Sequence, residues 1–159
     1  MSNLSQLHET DLNLWLETTI QKIQEKNYEA MDWSNLIEEL EDMGASQKRA
    51  LESYTCRLIE HLLKLNYWRA TLARFPRLKH AREEAEKERC ARGWKSEINT
   101  FRNSIQRLLE KNPSLRKYQE EQYDRLFIQS LESMRFQFDL PDEVYFPLDK
   151  ALDKKQFDI

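Results

Sequence analysis

The segment DWSNLIEELEDMG, Asp32 to Gly44, spells out an amphipathic helix together with its start and its stop. Trp33, Leu36, Ile37, Leu40 and Met43 recur at spacings of three, four and seven, which sets them on one helical face. Glu38, Glu39, Glu41 and Asp42 fill the remainder. Asp32 is suited to cap the first turn, and Gly44 can take the left-handed conformation that ends a helix. The pattern predicts a packing helix with an acidic rim, which says much about fold and little about chemistry.

The rest of the chain allows little besides helices. Two glycines, four prolines and a single valine, Val144, are too few for a sheet-containing domain of 159 residues. That length suits one domain, and 17 aromatic residues supply a core. With a hydrophobic share of 40%, the charged share of 33% reads as helix surface. Cys56 and Cys90 have neither metal-motif nor redox-motif spacing, so reduced thiols and a cytoplasmic location are expected. The first residues, MSNLSQLHETD, lack a basic region followed by an apolar run, and no stretch approaches a membrane span in length and apolarity.

The periodicity predicts about five helices. The first runs from Asp11 to Lys26 with Thr10 as its cap and Leu12, Trp15, Leu16, Thr19, Ile20 and Ile23 along one face. The Asp32 helix is second. A third restarts at Ser46 and ends near Arg74. It is apolar on two sides, through Leu58, Leu62 and Leu65 and through Ile59, Leu63 and Tyr67, which marks it as the central helix. A fourth begins at Pro76 or Arg77 and reaches Lys111, with Gly93 as a potential kink. Its first half has little apolar stripe but a ladder of opposite charges four apart, such as Lys79 with Glu83, Arg82 with Glu86 and Glu83 with Lys87. A fifth spans Ser114 to Phe136. Residues 136–159, with aromatics set between Pro141 and Pro147, predict an irregular strap glued across the bundle, with one short turn at Asp149 to Lys154.

Several marks recur in fixed order: ETDLNLW at Glu9, DWSNLIEELEDMG at Asp32, HLLK at His61, GWKSEINTFRNSIQRLLEKNPSL at Gly93, and LP with FP between Leu140 and Pro147. In these the chain resembles the largely cyanobacterial family called domain of unknown function 29, over nearly its whole length. The resemblance implies a compact helical domain without an assigned activity, and it transfers no catalytic residue. Residues 67–92 are longer and more charged than the short basic turn associated with many members.

Four polar residues, Glu39, Glu41, His61 and Arg102, lie at the edges of apolar stripes. Carboxylates and a histidine on helices are the ingredients of a metal site or an acid-base pair, yet the Glu-x-x-His pair of the di-metal bundles is missing. The expected role of these four is a structural polar seam among helices two, three and four, and no metal is expected. The chain also sets an acidic block before a basic one. Glu29 to Glu52 carries seven acids against Lys48 and Arg49, whereas Arg57 to Arg82 carries seven bases against Glu60. Within the basic run 57–82, Lys64, Trp68, Arg69 and Arg74 interleave cations with an aromatic as a nucleic-acid surface does. A net charge of −3 argues against that use. His8 and His80 read as isolated and solvated. No serine, threonine or cysteine has an activating neighbour in sequence, and no phosphate-cradling motif is present.

The expectation is therefore a single all-α domain, 1–159, forming a compact bundle of about five helices with a C-terminal strap. Its expected function is that of a non-catalytic interaction or adaptor module that requires no cofactor. An enzyme using the helix-borne carboxylate and histidine cluster is the alternative, and a weak nucleic-acid binder through the basic run is the third reading. The expected partner is a protein, a second copy of the chain included, ahead of nucleic acid and with no membrane involved.

Overall fold

The computed structural model describes residues 3–73 and 81–158, and the side chains of these except 3, 69–73, 81–85 and 87. All regular structure among them is helical: α1 (Asn3–Thr10), α2 (Leu12–Gln24), a single 3-10 turn (Tyr28–Ala30), α3 (Trp33–Ala73), α4 (Ala81–Lys111), α5 (Leu115–Arg135) and α6 (Leu148–Leu152). The chain divides into two units, 1–47 and 48–159, and α3 contributes to both.

The first unit opens with a helix that the sequence pattern did not announce, because α1 offers only Leu4 and Leu7 as apolar residues. Asp11, not Thr10, caps α2, accepting from the Leu14 backbone N–H at 3.0 Å; the Thr10 hydroxyl donates instead to the Gln6 carbonyl. α2 ends with Lys26 in the left-handed region, φ 57°. The Lys26 N–H donates to the Ile23 carbonyl and the Asn27 N–H to the Lys22 carbonyl, the two bonds of a Schellman motif. Asp32 caps α3 as expected, accepting from the Asn35 backbone at 3.5 Å and from the Asn35 side chain at 2.7 Å.

The expected stop at Gly44 does not occur. Gly44 is helical, and the second and third predicted helices are one continuous α3. A mid-helix glycine costs only about 1 kcal/mol against alanine. The residues on both sides favour helix, so a lone glycine with no proline after it does not end one.

In the second unit α3 is central, as its two apolar sides predict. Leu58, Ile59, Leu62 and Leu63 are all fully buried. They meet Ile98, Ile105 and Leu109 from α4, and Leu115, Tyr123, Phe127 and Met134 from α5. α5 lies within one residue of its predicted bounds. α4 passes Gly93 without interruption, while its expected start at Pro76 or Arg77 lies outside the described residues. Lys79 of the charge ladder also lies outside them, as do the side chains of Arg82, Glu83 and Lys87. The neighbouring Glu86 and Arg89 are exposed and paired at 3.2 Å.

The strap forms as predicted and belongs to this core. Phe146, 1% exposed, sets its ring edge-on to Phe127 at 4.8 Å, and the Tyr123 hydroxyl donates to the Phe146 carbonyl at 2.9 Å. Burying a phenylalanine gives about 1.5–3 kcal/mol, which adds to the hydrogen bonds from Tyr123, Arg102 and Asn66 that tie this irregular segment down. The predicted short turn is α6, one of whose residues, Ala151, is fully buried.

Candidate functional site

The first unit gathers polar groups around one buried indole. Trp15 is fully buried, and the His8 ring meets it edge-on at 4.8 Å. His8 Nε2 lies 2.8 Å from the Glu39 carboxylate, with the two side chains 19% and 30% exposed. His8 is therefore not the isolated, solvated residue that its sequence context suggested; its partner is 31 positions away on α3. Asp32, at 9% exposure, is a second carboxylate beside Trp15. Burial acts to raise its pKa, but the Asn35 side chain, Ser5 and the Asn35 backbone outweigh burial and hold it below 3.8. The Trp15 N–H adds to this pull without meeting hydrogen-bond geometry, and it and the Thr19 hydroxyl are buried without a hydrogen-bond partner.

The apolar stripes of this unit face the other way. On α2, Trp15 and Thr19 are buried, while Leu12, Leu16, Ile20 and Ile23 from the same predicted face are 40–53% exposed. On α3, Asp32 is buried and Asn35 and Glu39 are half-buried, whereas Trp33, Ile37, Leu40 and Met43 are 49–63% exposed. At 3.6 residues per turn, the apolar arc of this part of α3 is turned by about a quarter revolution from the side that is buried. The predicted packing helix thus packs on its polar edge and presents its apolar face. Leu14 and Tyr28 are also about half exposed.

Of the four residues expected to form one seam, three have separate partners. Glu39 pairs with His8, and Glu41 is exposed. His61, 8% exposed, contacts the Arg57 carbonyl through Nδ1 at 2.7 Å and the Glu97 carboxylate through Nε2 at 2.8 Å. A carbonyl oxygen only accepts, so His61 Nδ1 carries the hydrogen of the bond to Arg57. Arg102, 1% exposed, donates to two carbonyls of the C-terminal segment, Ala151 at 2.8 Å and Gln156 at 2.7 Å, and lies over the Phe157 ring at 5.2 Å. Burial lowers its pKa, and the Asp153 carboxylate partly offsets that. One acceptor, Ala151, is a carbonyl in the last turn of α6, where the orphan carbonyls carry partial negative charge, and the other, Gln156, lies past the helix end.

Of the proposed nucleic-acid residues, Trp68 is half-buried and packs edge-on against Trp94 at 5.2 Å, with Phe138 at 6.3 Å. Its indole N–H is buried, so the ring is not a free stacking platform. Lys64 is half-buried. The Arg69 side chain and all of Arg74 lie outside the described residues. A groove of about 330 Å³ between α3 and α5 is lined by Glu52, Cys56, Arg57, Glu60 and their neighbours. Burial pushes the Cys56 thiol pKa up, with Glu60 and Glu52 adding to the rise, the reverse of what a nucleophilic thiolate requires. Glu52 is engaged by the Tyr118 hydroxyl and by Arg125. No group of three metal-ligating side chains occurs among the described residues.

Charge divides as the units do. Residues 1–47 carry ten carboxylates against Lys22 and Lys26, a net of −8, which leaves +5 on 48–159 to give the total of −3. The fold and these groups define an all-helical protein in which buried polar side chains tie helices together. The chain belongs to the family described as domain of unknown function DUF29, whose model matches residues 7–157. No curated protein and no solved structure matches it. No helix among the described residues is long and apolar enough to cross a membrane.

Proposed function

We propose that this protein is a non-catalytic helical interaction module of the bacterial cytoplasm, acting through its first unit and needing no cofactor. The observation that carries the reading is the exposure of the apolar stripes on α2 and α3. Ten large apolar side chains of residues 1–47 are 40–63% exposed, while Ile128, Phe136 and Tyr145 are the corresponding exposed residues among the described part of 48–159. Soluble proteins rarely leave that much apolar surface without a use for it. The test is affinity purification from native cells with the wild type and with an Ile37→Gln, Leu40→Gln double variant. One or more proteins should co-purify stoichiometrically with the wild type and be lost with the variant, while both melt alike. Identical captured sets would count against the module.

The catalytic alternative is an enzyme using a helix-borne carboxylate and histidine, and of the expected residues Glu39 has such a partner in His8 at 2.8 Å. It predicts a turnover that His8→Gln abolishes without changing stability. Binding of nucleic acid through 57–82 ranks last, because the aromatic that would stack is packed against Trp94.

A further inference from the structure

We infer that the occupant of the exposed α2 and α3 stripes is a basic amphipathic helix of a partner protein. The inference rests on the interaction-module reading and names the chemistry of its partner. Trp33, Ile37, Leu40 and Met43 follow one another at helical spacing along about three turns, the length of groove that an incoming helix covers with its i, i+3, i+4 and i+7 anchors. These four and Leu12, Leu16, Ile20 and Ile23 on α2, eight stripe side chains at about half exposure, leave on the order of 700 Å² of apolar surface. That is close to the ~800 Å² per partner of a standard specific interface.

Charge selects among the occupants. The surface lies on a unit of net charge −8, and Glu38 and Glu41, both exposed, follow its apolar residues on the next rows of α3. A second copy docking the same face would set −8 against −8, whereas a helix with Lys or Arg on its polar side meets opposite charge along the Glu38 and Glu41 edge. The basic helix therefore gains from the apolar contact and from the rim, and the symmetric dimer gains only from the first.

Two synthetic helical peptides of about 18 residues, five turns, test this. They share one leucine stripe and carry lysine or glutamate on the polar face; a third scrambles the leucine and lysine order. The leucine-lysine peptide should bind at micromolar levels, at least about tenfold tighter than the other two, and should weaken as salt rises. Ile37→Gln with Leu40→Gln should reduce its affinity about tenfold or more at an unchanged melting temperature. Should that variant fold poorly, Glu38→Gln with Glu41→Gln, which removes only exposed charges, should weaken the lysine peptide and spare the glutamate one. Equal binding of the scrambled peptide would show attraction by charge alone, and equal binding of the glutamate peptide would show attraction without charge; either overturns the inference. A wild-type dimer in sedimentation that the double variant converts to monomer would give the face to a second copy, sinking the basic helix but leaving the interaction module standing. A monomer that binds none of the three peptides and loses no captured protein in the variant would end both readings.

Discussion

Arg102 on α4 donates to the carbonyl of Ala151 at 2.8 Å, closing the end of α6 with a side chain from 49 residues earlier. The same guanidinium reaches Gln156, and Asn66 donates to the Phe157 carbonyl at 2.8 Å, so the last part of the chain is tied to the core at several carbonyls. Arg102→Ala should lower stability by about 2–4 kcal/mol, because it strands two carbonyls and opens a cavity beneath Phe157. Arg102→Lys should recover only part of this, since an ammonium cannot fork to both oxygens. The exposed control Arg107→Ala should change stability by less than about 0.5 kcal/mol. Chemical denaturation of the four proteins, wild type included, checks the ordering.

The Asp32 cap gives a pH signature. Its folded pKa lies below 3.8, so the carboxylate contributes fully above about pH 4 and loses its contribution as pH falls through the depressed folded value. Asp32→Ala should cost about 1 kcal/mol. The difference in melting temperature between wild type and variant should be constant above about pH 4 and shrink below it. A difference that grows in acid would contradict the assignment.

Lys26 occupies a backbone conformation that a glycine adopts without penalty. At φ 57° it closes the Schellman motif of α2, and an L-residue there costs roughly 1–2 kcal/mol. Lys26→Gly should therefore stabilise the protein by about 0.5–1 kcal/mol after the added freedom of the unfolded chain is subtracted. Thermal melts of Lys26→Gly and Lys26→Ala separate the backbone effect from loss of the charge, since only the glycine should raise the midpoint.

Nucleic acid should bind weakly. Trp68 is packed on Trp94, so titration with single-stranded oligonucleotides should leave tryptophan fluorescence nearly unquenched at physiological salt. A sub-micromolar affinity that falls steeply with salt and is lost in a Lys64, Arg69 and Arg74 triple alanine variant would reverse the ranking.

Periodicity made the helices of the second unit legible, since Leu58, Ile59, Leu62 and Leu63 can only be buried from both sides. It could not orient those of the first. A stripe such as Trp33, Ile37 and Leu40 tells which residues share a face, but not whether the neighbouring helix lies against that face or against the Asp32 and Glu39 edge beside it. The boundary at Gly44 was misread because a glycine ends a helix only where the backbone turns left-handed, and here it stays helical. His8 and Glu39 escaped notice as a pair because 31 residues of chain separate them, and no local spacing rule spans that gap. Arg102 was legible at the edge of an apolar stripe but not in its partners, since backbone carbonyls leave no mark in the sequence.

The opposed charges of the two units cancel only in their sum. Near the isoelectric point of about 5.7 the molecule is neutral on average and still carries an acidic and a basic portion, each strongly charged. In dilute buffer such molecules attract one another oppositely charged part to part, and solubility passes through a minimum there. Salt at roughly 0.1 M shortens the reach of those charges to about 10 Å. The expected outcome is a protein that salt dissolves, checked by its solubility at pH 5.7 before and after desalting.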